Sequence, residues 1–122
     1  MWMAERDRRR TVGEGGSQVG EVTLGGDPAG VCLDGERRDL PVFGPGGYIW
    51  RPARGDEVLV IKTGENGEAP CVAGKRGESA WNLSEGEVII YGGGATISLR
   101  QGGLISLSGT VLVNGKPVMT EG

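Results

Sequence analysis

Between Val88 and Val113 the chain reads VIIYGGGATISLRQGGLISLSGTVLV, and its side chains alternate in character. From Ile89 onward the odd positions Ile89, Tyr91, Ile97, Leu99, Ile105, Leu107, Val111 and Val113 are apolar, while the even ones are mostly Gly, Thr, Ser and Arg. A strand points successive side chains to opposite faces, so a period of two gives each segment one apolar and one wet face. The alternation continues through Gly92-Gly93-Gly94 and Gly102-Gly103, which reads as corners between strands that keep facing one interior. The strands are short, and nothing downstream supplies a second sheet to cover that interior. A two- or three-stranded piece with one apolar face is marginal alone in water, and its open edges invite further pairing. The pattern therefore predicts several identical chains wound around a common axis, an intertwined homo-oligomeric β-prism with those eight side chains in its core. An ordinary antiparallel sheet in a monomeric sandwich is the alternative, since open sheets alternate too. Leu104 and Leu112 break the pattern at even positions and mark candidate contacts with another protein.

The upstream part is cut into shorter pieces. Twenty-five of 122 residues are glycine, which weakens helices and supplies corners, and no stretch carries apolar residues at helical spacing. An all-β chain is expected. Strand signals fall at Gln18–Leu24, Val31–Leu33, Leu40–Gly44, Tyr48–Trp50, Val58–Ile61 and Pro70–Gly74, separated by turn residues such as Asp34-Gly35 and Gly44-Pro45-Gly46-Gly47. Val58, Leu59, Val60 and Ile61 are apolar on both faces, the pattern of a strand buried on both sides. Five or six short strands in this space suit a small barrel of the oligonucleotide/oligosaccharide-binding (OB) kind, and an SH3-like barrel has nearly the same pattern. GKRGES, residues 74–79, is a polar hinge, which sets the expected organisation: a charged tail over residues 1–10, the barrel over 11–79, and the alternating segment over 80–122. Asn114-Gly115 is a hairpin signal, with Lys116–Met119 as its return.

Chemistry is constrained by what is missing. The chain has no histidine, which removes the commonest general base and the commonest zinc ligand. Cys32 and Cys71 cannot complete a structural zinc site within one chain and read as buried thiols, and Asp56-Glu57 and Asp34/Glu36 sit at turns, where such acids are solvated. No enzyme activity, metal or cofactor is expected. A formal net charge of −3 gives no general attraction to nucleic acid. Phe43, Tyr48 and Trp50, beside Arg51 and Arg54, are the single aromatic cluster that could stack bases, and packing or a protein contact suits them better. The opening MWMAERDRRR lacks the apolar core of a signal peptide, so synthesis in the cytoplasm is expected. Its Met1-Trp2-Met3 is a candidate apolar plug.

With PVFGPGGYIWRPARGDEVLVI and PCVAGKRG in the first part and GEVIIYGGGATISLRQGGLISLSGTVLVNGK in the second, the chain from about Gln18 to its end resembles the central spike proteins of contractile phage tails, the baseplate assembly protein V family. The resemblance implies a homotrimer. Three OB-like barrels would form a ring beneath the tail-tube hub, and three C-terminal segments would intertwine as a triple-stranded β-helix that pierces the target cell envelope. It also implies residence in a virion baseplate or in a related contractile injection system, with Phe43, Tyr48 and Trp50 as candidate hub contacts. Some family members end in a histidine-x-histidine repeat that binds iron at the tip; this chain has none, which leaves room for a separate tip protein. A small nucleic-acid- or protein-binding adaptor barrel with a dimerising or trimerising β tail is the rival, as is a β-helical scaffold without an injection role.

Overall fold

The structure is a computed structural model and describes residues 16–66, 68–78 and 81–120. The expected charged tail and its Met1-Trp2-Met3 plug lie outside the described residues. The chain divides into two compact units, Met1–Gly77 and Glu78–Gly122. All regular elements among the described residues are strands, paired antiparallel, as the glycine content and the missing helical periodicity lead one to expect.

The first unit contains β1 (Ser17–Leu24), β2 (Ala29–Cys32), β3 (Glu36–Leu40), β4 (Glu57–Thr63) and β5 (Ala69–Lys75), in the sheet order β3-β2-β1-β4-β5. β1 is the shared strand. Its first half, Ser17–Glu21, pairs with β4, and its second half pairs with β2 across a bulge between Val22 and Leu24. Gly20 lies where these pairings meet: a Cβ there would stand 2.7 Å from the Cys32 carbonyl oxygen and 2.7 Å from Val31 Cγ1. Glycine is what lets the end of β2 approach this closely.

One face of this sheet is dry. Val22, Ala29, Val31, Leu40, Val58, Val60 and Val72 form a single buried cluster, with Leu33, Val42 and Trp50 packed against it. Burial of a Val or Leu contributes about 1.5–3 kcal/mol, and all five strands supply at least one member. The outer strands do not close into a continuous barrel. They approach through one parallel bridge, Val42 to Val72, where Phe43 N–H donates to the Val72 carbonyl at 2.8 Å and Val72 N–H to that of Pro41 at 2.9 Å.

Several local expectations are corrected here, among them the buried thiols, since Cys32 is exposed and Cys71 only partly buried. The third strand is the polar stretch Glu36–Leu40 rather than Leu40–Gly44, and Tyr48–Trp50 is not a strand. β3 is an edge strand of which only Leu40 is fully buried, so it carries no apolar alternation to find. In β4, Val58 and Val60 are buried, but Leu59 and Ile61 are 41% and 39% exposed, because among the described residues of this unit no second layer covers the outer face.

The second unit is a three-stranded meander, β6 (Val88–Gly92), β7 (Ala95–Arg100) and β8 (Leu104–Ser108), followed by a small hairpin, β9 (Leu112–Val113) and β10 (Lys116–Pro117). Gly93 and Gly94, at φ 59° and 88°, form the two-residue reversal whose twist matches that of the strands it joins. Asn114 and Gly115, at φ 50° and 80°, do the same for the hairpin, which Val118 N–H extends by donating to the Val111 carbonyl at 2.9 Å. Of the residues described in this unit, Ser98 alone is buried.

Candidate functional site

A sheet with no buried apolar side chain is an incomplete structure, and the register shows where completion is needed. Val88 lies opposite Leu99, and Leu99 opposite Ile105; Ile90 lies opposite Ile97, and Ile97 opposite Leu107. Directly paired residues share a face, so these six aliphatic side chains form two adjacent rows across all three strands. Every one is between 41% and 68% exposed. Ala95, paired with Gly92, continues the surface at the turn end.

The opposite face is different in kind. Its rows are Ile89, Ser98 and Ser106, then Tyr91, Thr96 and Ser108, with Arg100 beside Leu104. Residues 81–87 of the same chain lie against it. Trp81 packs on Tyr91 with ring centroids 5.5 Å apart and planes inclined at 43°, and Arg100 Nη1 donates to the Asn82 carbonyl at 2.7 Å. Glu87 fastens the arrangement. Its carboxylate accepts from Ser84 N–H at 2.9 Å and from Gln101 N–H at 2.8 Å, and Arg100 Nη1 stands 3.5 Å away. The Gln101 side chain in turn donates to the Glu85 carbonyl at 3.1 Å. Hydrogen bonds from Ser84 and then Gln101, with the Arg100 charge adding to them, hold the Glu87 carboxyl below its usual range against the opposing effect of burial. The β6 and β7 part of one face is thus partly covered and stapled by its own chain, with Leu104, Ser106 and Ser108 of β8 still exposed, while the aliphatic face is left bare.

The expectation that odd positions share one face through both glycine clusters is corrected at the first of them. A turn with an even number of residues swaps parity between the strands it joins, and one with an odd number preserves it. Gly93-Gly94 pairs Gly92 with Ala95, so Val88 and Ile90 join Ile97, Leu99, Ile105 and Leu107 on the bare face, whereas Ile89 and Tyr91 lie on the stapled one. The three-residue turn Gln101–Gly103 pairs Arg100 with Leu104 and keeps parity. Val111 and Val113 belong to the separate C-terminal hairpin region. Leu104 sits on the stapled face and is 57% exposed. Val88 and Ile90 flank the more regular odd series, and the count of residues in the Gly93-Gly94 turn is the signal that assigns them to the bare face.

In the first unit, Phe43 and Tyr48 are 58% and 59% exposed, and their neighbour Ile49 is 85% exposed. Trp50 instead turns toward the core. Its Nε1–H donates to the Phe43 carbonyl at 2.9 Å, and Gly44 leaves room for the indole, since a Cβ there would stand 3.2 Å from Trp50 Cδ1. The three aromatics therefore form a braced loop that presents Phe43, Tyr48 and Ile49, with Trp50 as its anchor. No group of three or more Cys, Asp or Glu side chains among the described residues is arranged to hold a metal ion.

No protein-family model matches the chain, and no curated protein matches it.

Proposed function

We propose that three copies of this chain form the central spike of a contractile tail or injection machine, seated beneath the tail-tube hub, which pierces the target cell envelope. The observation that carries this reading is the bare aliphatic face of the β6-β7-β8 sheet. Six large apolar side chains left in water on an otherwise uncored unit call for a permanent cover, and three such faces meeting on an axis form a dry needle core. A load-bearing needle built this way relies on many backbone hydrogen bonds and has no need of turnover or of a metal of its own.

The first unit supports the same reading. Strand order β3-β2-β1-β4-β5, with a shared β1 and a parallel bridge from Val42 to Val72, is compatible with a small OB-like barrel that the single bridge leaves open. Such barrels would make the ring above the needle, with Phe43, Tyr48 and Ile49 offered to the hub. The likeness of the chain to spike proteins of contractile tails joins the two halves in one device, and a separate tip protein would complete the hairpin end.

Light scattering after size exclusion tests the assembly: three chains per particle that persist on dilution are expected, and a stable monomer overturns the reading. Immunogold labelling of contractile particles from the producing cell tests the role. Label confined to the distal end of the tube is expected; a trimer absent from such particles would be a β scaffold of another kind.

A further inference from the structure

We infer that Asn114-Gly115 is a self-modification site gated by the β9–β10 hairpin: the asparagine converts to isoaspartate only when the hairpin opens, and the product cannot close it again. The inference does not depend on how many chains assemble.

The chemistry needs only these two residues and water. The Gly115 backbone nitrogen attacks the carbonyl carbon of the Asn114 side chain and gives up its proton. A nitrogen–carbon bond forms, the bond to the side-chain amide nitrogen breaks, and that nitrogen leaves with the proton as ammonia. Water then opens the five-membered imide at either carbonyl, which yields aspartate or isoaspartate. Both residues are exposed, and nothing lies within 4 Å of the position a Cβ would take at Gly115, so neither a side chain nor a neighbour crowds the attacking nitrogen.

The turn withholds this reaction. Asn114 and Gly115, at φ 50° and 80°, join the paired Val113 and Lys116 as the mirror image of a type I turn, whose first residue has ψ of about +30°. At that ψ the Gly115 nitrogen stands nearly anti to the Asn114 Cβ about the Cα–C bond. Ring closure needs the two on the same side, a rotation of roughly 150° from the turn's value. Such a rotation separates Val113 from Lys116. The left-handed conformation that suits Asn114 to the turn therefore also keeps it inert.

The gate is light. Leu112, Val113, Lys116 and Pro117 are all exposed, and beyond the Val113–Lys116 pairing the hairpin is extended by Val118 N–H donating to the Val111 carbonyl at 2.9 Å. Elements with few hydrogen bonds and no buried side chain open at the lowest cost in a fold, so the reactive state is visited while the rest of the chain stays folded. In isoaspartate the main chain runs through the former Cβ and is one atom longer, and a two-residue reversal no longer fits between Val113 and Lys116. Conversion is one-way, which makes the hairpin an age-dependent switch.

Peptide mapping of the full chain, carrying Cys32→Ser and Cys71→Ser and sampled over days in mildly alkaline buffer, tests the inference; the isolated tryptic peptide 101–122 is the unrestrained reference. We expect isoaspartate at Asn114 in both, formed in the folded chain more slowly by a factor of about ten or more. Leu112→Cys with Pro117→Cys sets a disulfide across a directly opposed pair, within bridging distance, and its oxidised form should slow conversion further. Val118→Pro deletes the outer hydrogen bond and should bring the rate toward that of the peptide. Equal rates in folded chain and peptide, or an oxidised disulfide variant that converts as fast as its parent, would overturn the gate. Absence of isoaspartate from the peptide would overturn the site itself. Slow amide exchange retained at Val118 in the converted chain would show that the product recloses the hairpin, and would overturn the switch.

Discussion

Arg100 Nη1 stands 3.5 Å from Glu87 Oε1, and the same carboxylate holds the backbone N–H groups of Ser84 and Gln101. The pair joins the lead-in of β6 to the β7–β8 turn. Its carboxyl titrates below the ordinary range in the folded chain. Between the ordinary glutamate value, about 4.3, and that lowered value, the unfolded chain binds the proton and the folded chain does not, so stability rises with pH there. The contribution is complete above the ordinary value and is lost as pH falls through the lowered one. Melting followed by Trp81 fluorescence should therefore be insensitive to this group from pH 7 to about 5 and fall below about pH 4. Glu87→Gln should lower the melting temperature at pH 7 and flatten the acid limb; an acid limb unchanged in this variant would show that another carboxylate controls it.

Gly20 should not tolerate a side chain. A Cβ would press on the Cys32 carbonyl and on Val31 at 2.7 Å, and neither can retreat without breaking the β1–β2 pairing. Gly20→Ala should cost about 1–3 kcal/mol in urea unfolding. Gly35→Ala, where nothing lies within 4 Å of the added carbon, is the control and should change stability by less than about 0.5 kcal/mol.

The braced loop separates anchor from display. Trp50→Phe removes the donor to the Phe43 carbonyl and should destabilise the chain by about 0.5–1.5 kcal/mol. Tyr48→Ser and Ile49→Ser alter exposed side chains and should leave thermal stability nearly unchanged, within about 0.5 kcal/mol, while weakening the contact proposed between this loop and a tail hub. A large loss of stability in either serine variant would assign Tyr48 or Ile49 to packing instead.

How much of this was legible depended on whether a segment's physics is local. The alternation of β7 and β8 is a property of neighbouring residues, and Ile97, Leu99, Ile105 and Leu107 were readable from it, as were the Asn114-Gly115 hairpin and the strand around Val58–Ile61. β3 was not readable, because an edge strand with Leu40 as its one fully buried side chain has no apolar rhythm. Register across a turn is also non-local: whether Ile89 or Ile90 faces Ile97 depends on the count of residues between Gly92 and Ala95, which alternation within a strand does not report. The Glu87 staple joins residues far apart in sequence through backbone N–H groups, which leave no mark on residue identity at the donor.

The swap of parity at Gly93-Gly94 leads to the sharpest test of the bare face. Ile90 is directly opposite Ile97, and Ile97 opposite Leu107, so the assembly proposed here would enclose all three in one apolar row. Ile90→Asp would place a carboxylate where no described side chain can pair with it. Burying such a charge costs several kcal/mol unless the group is neutralised, enough at micromolar concentration to shift the mass from three chains toward one. Ser106→Asp adds the same charge on the opposite face, at a residue that is already exposed, and should retain the assembled mass. Both variants are compared by light scattering at equal concentration and neutral pH. Assembly that survives Ile90→Asp and fails with Ser106→Asp would mean that the hydroxyl-bearing face is the one enclosed, and the trimer core would have to be rebuilt around Ile89, Tyr91 and Ser98.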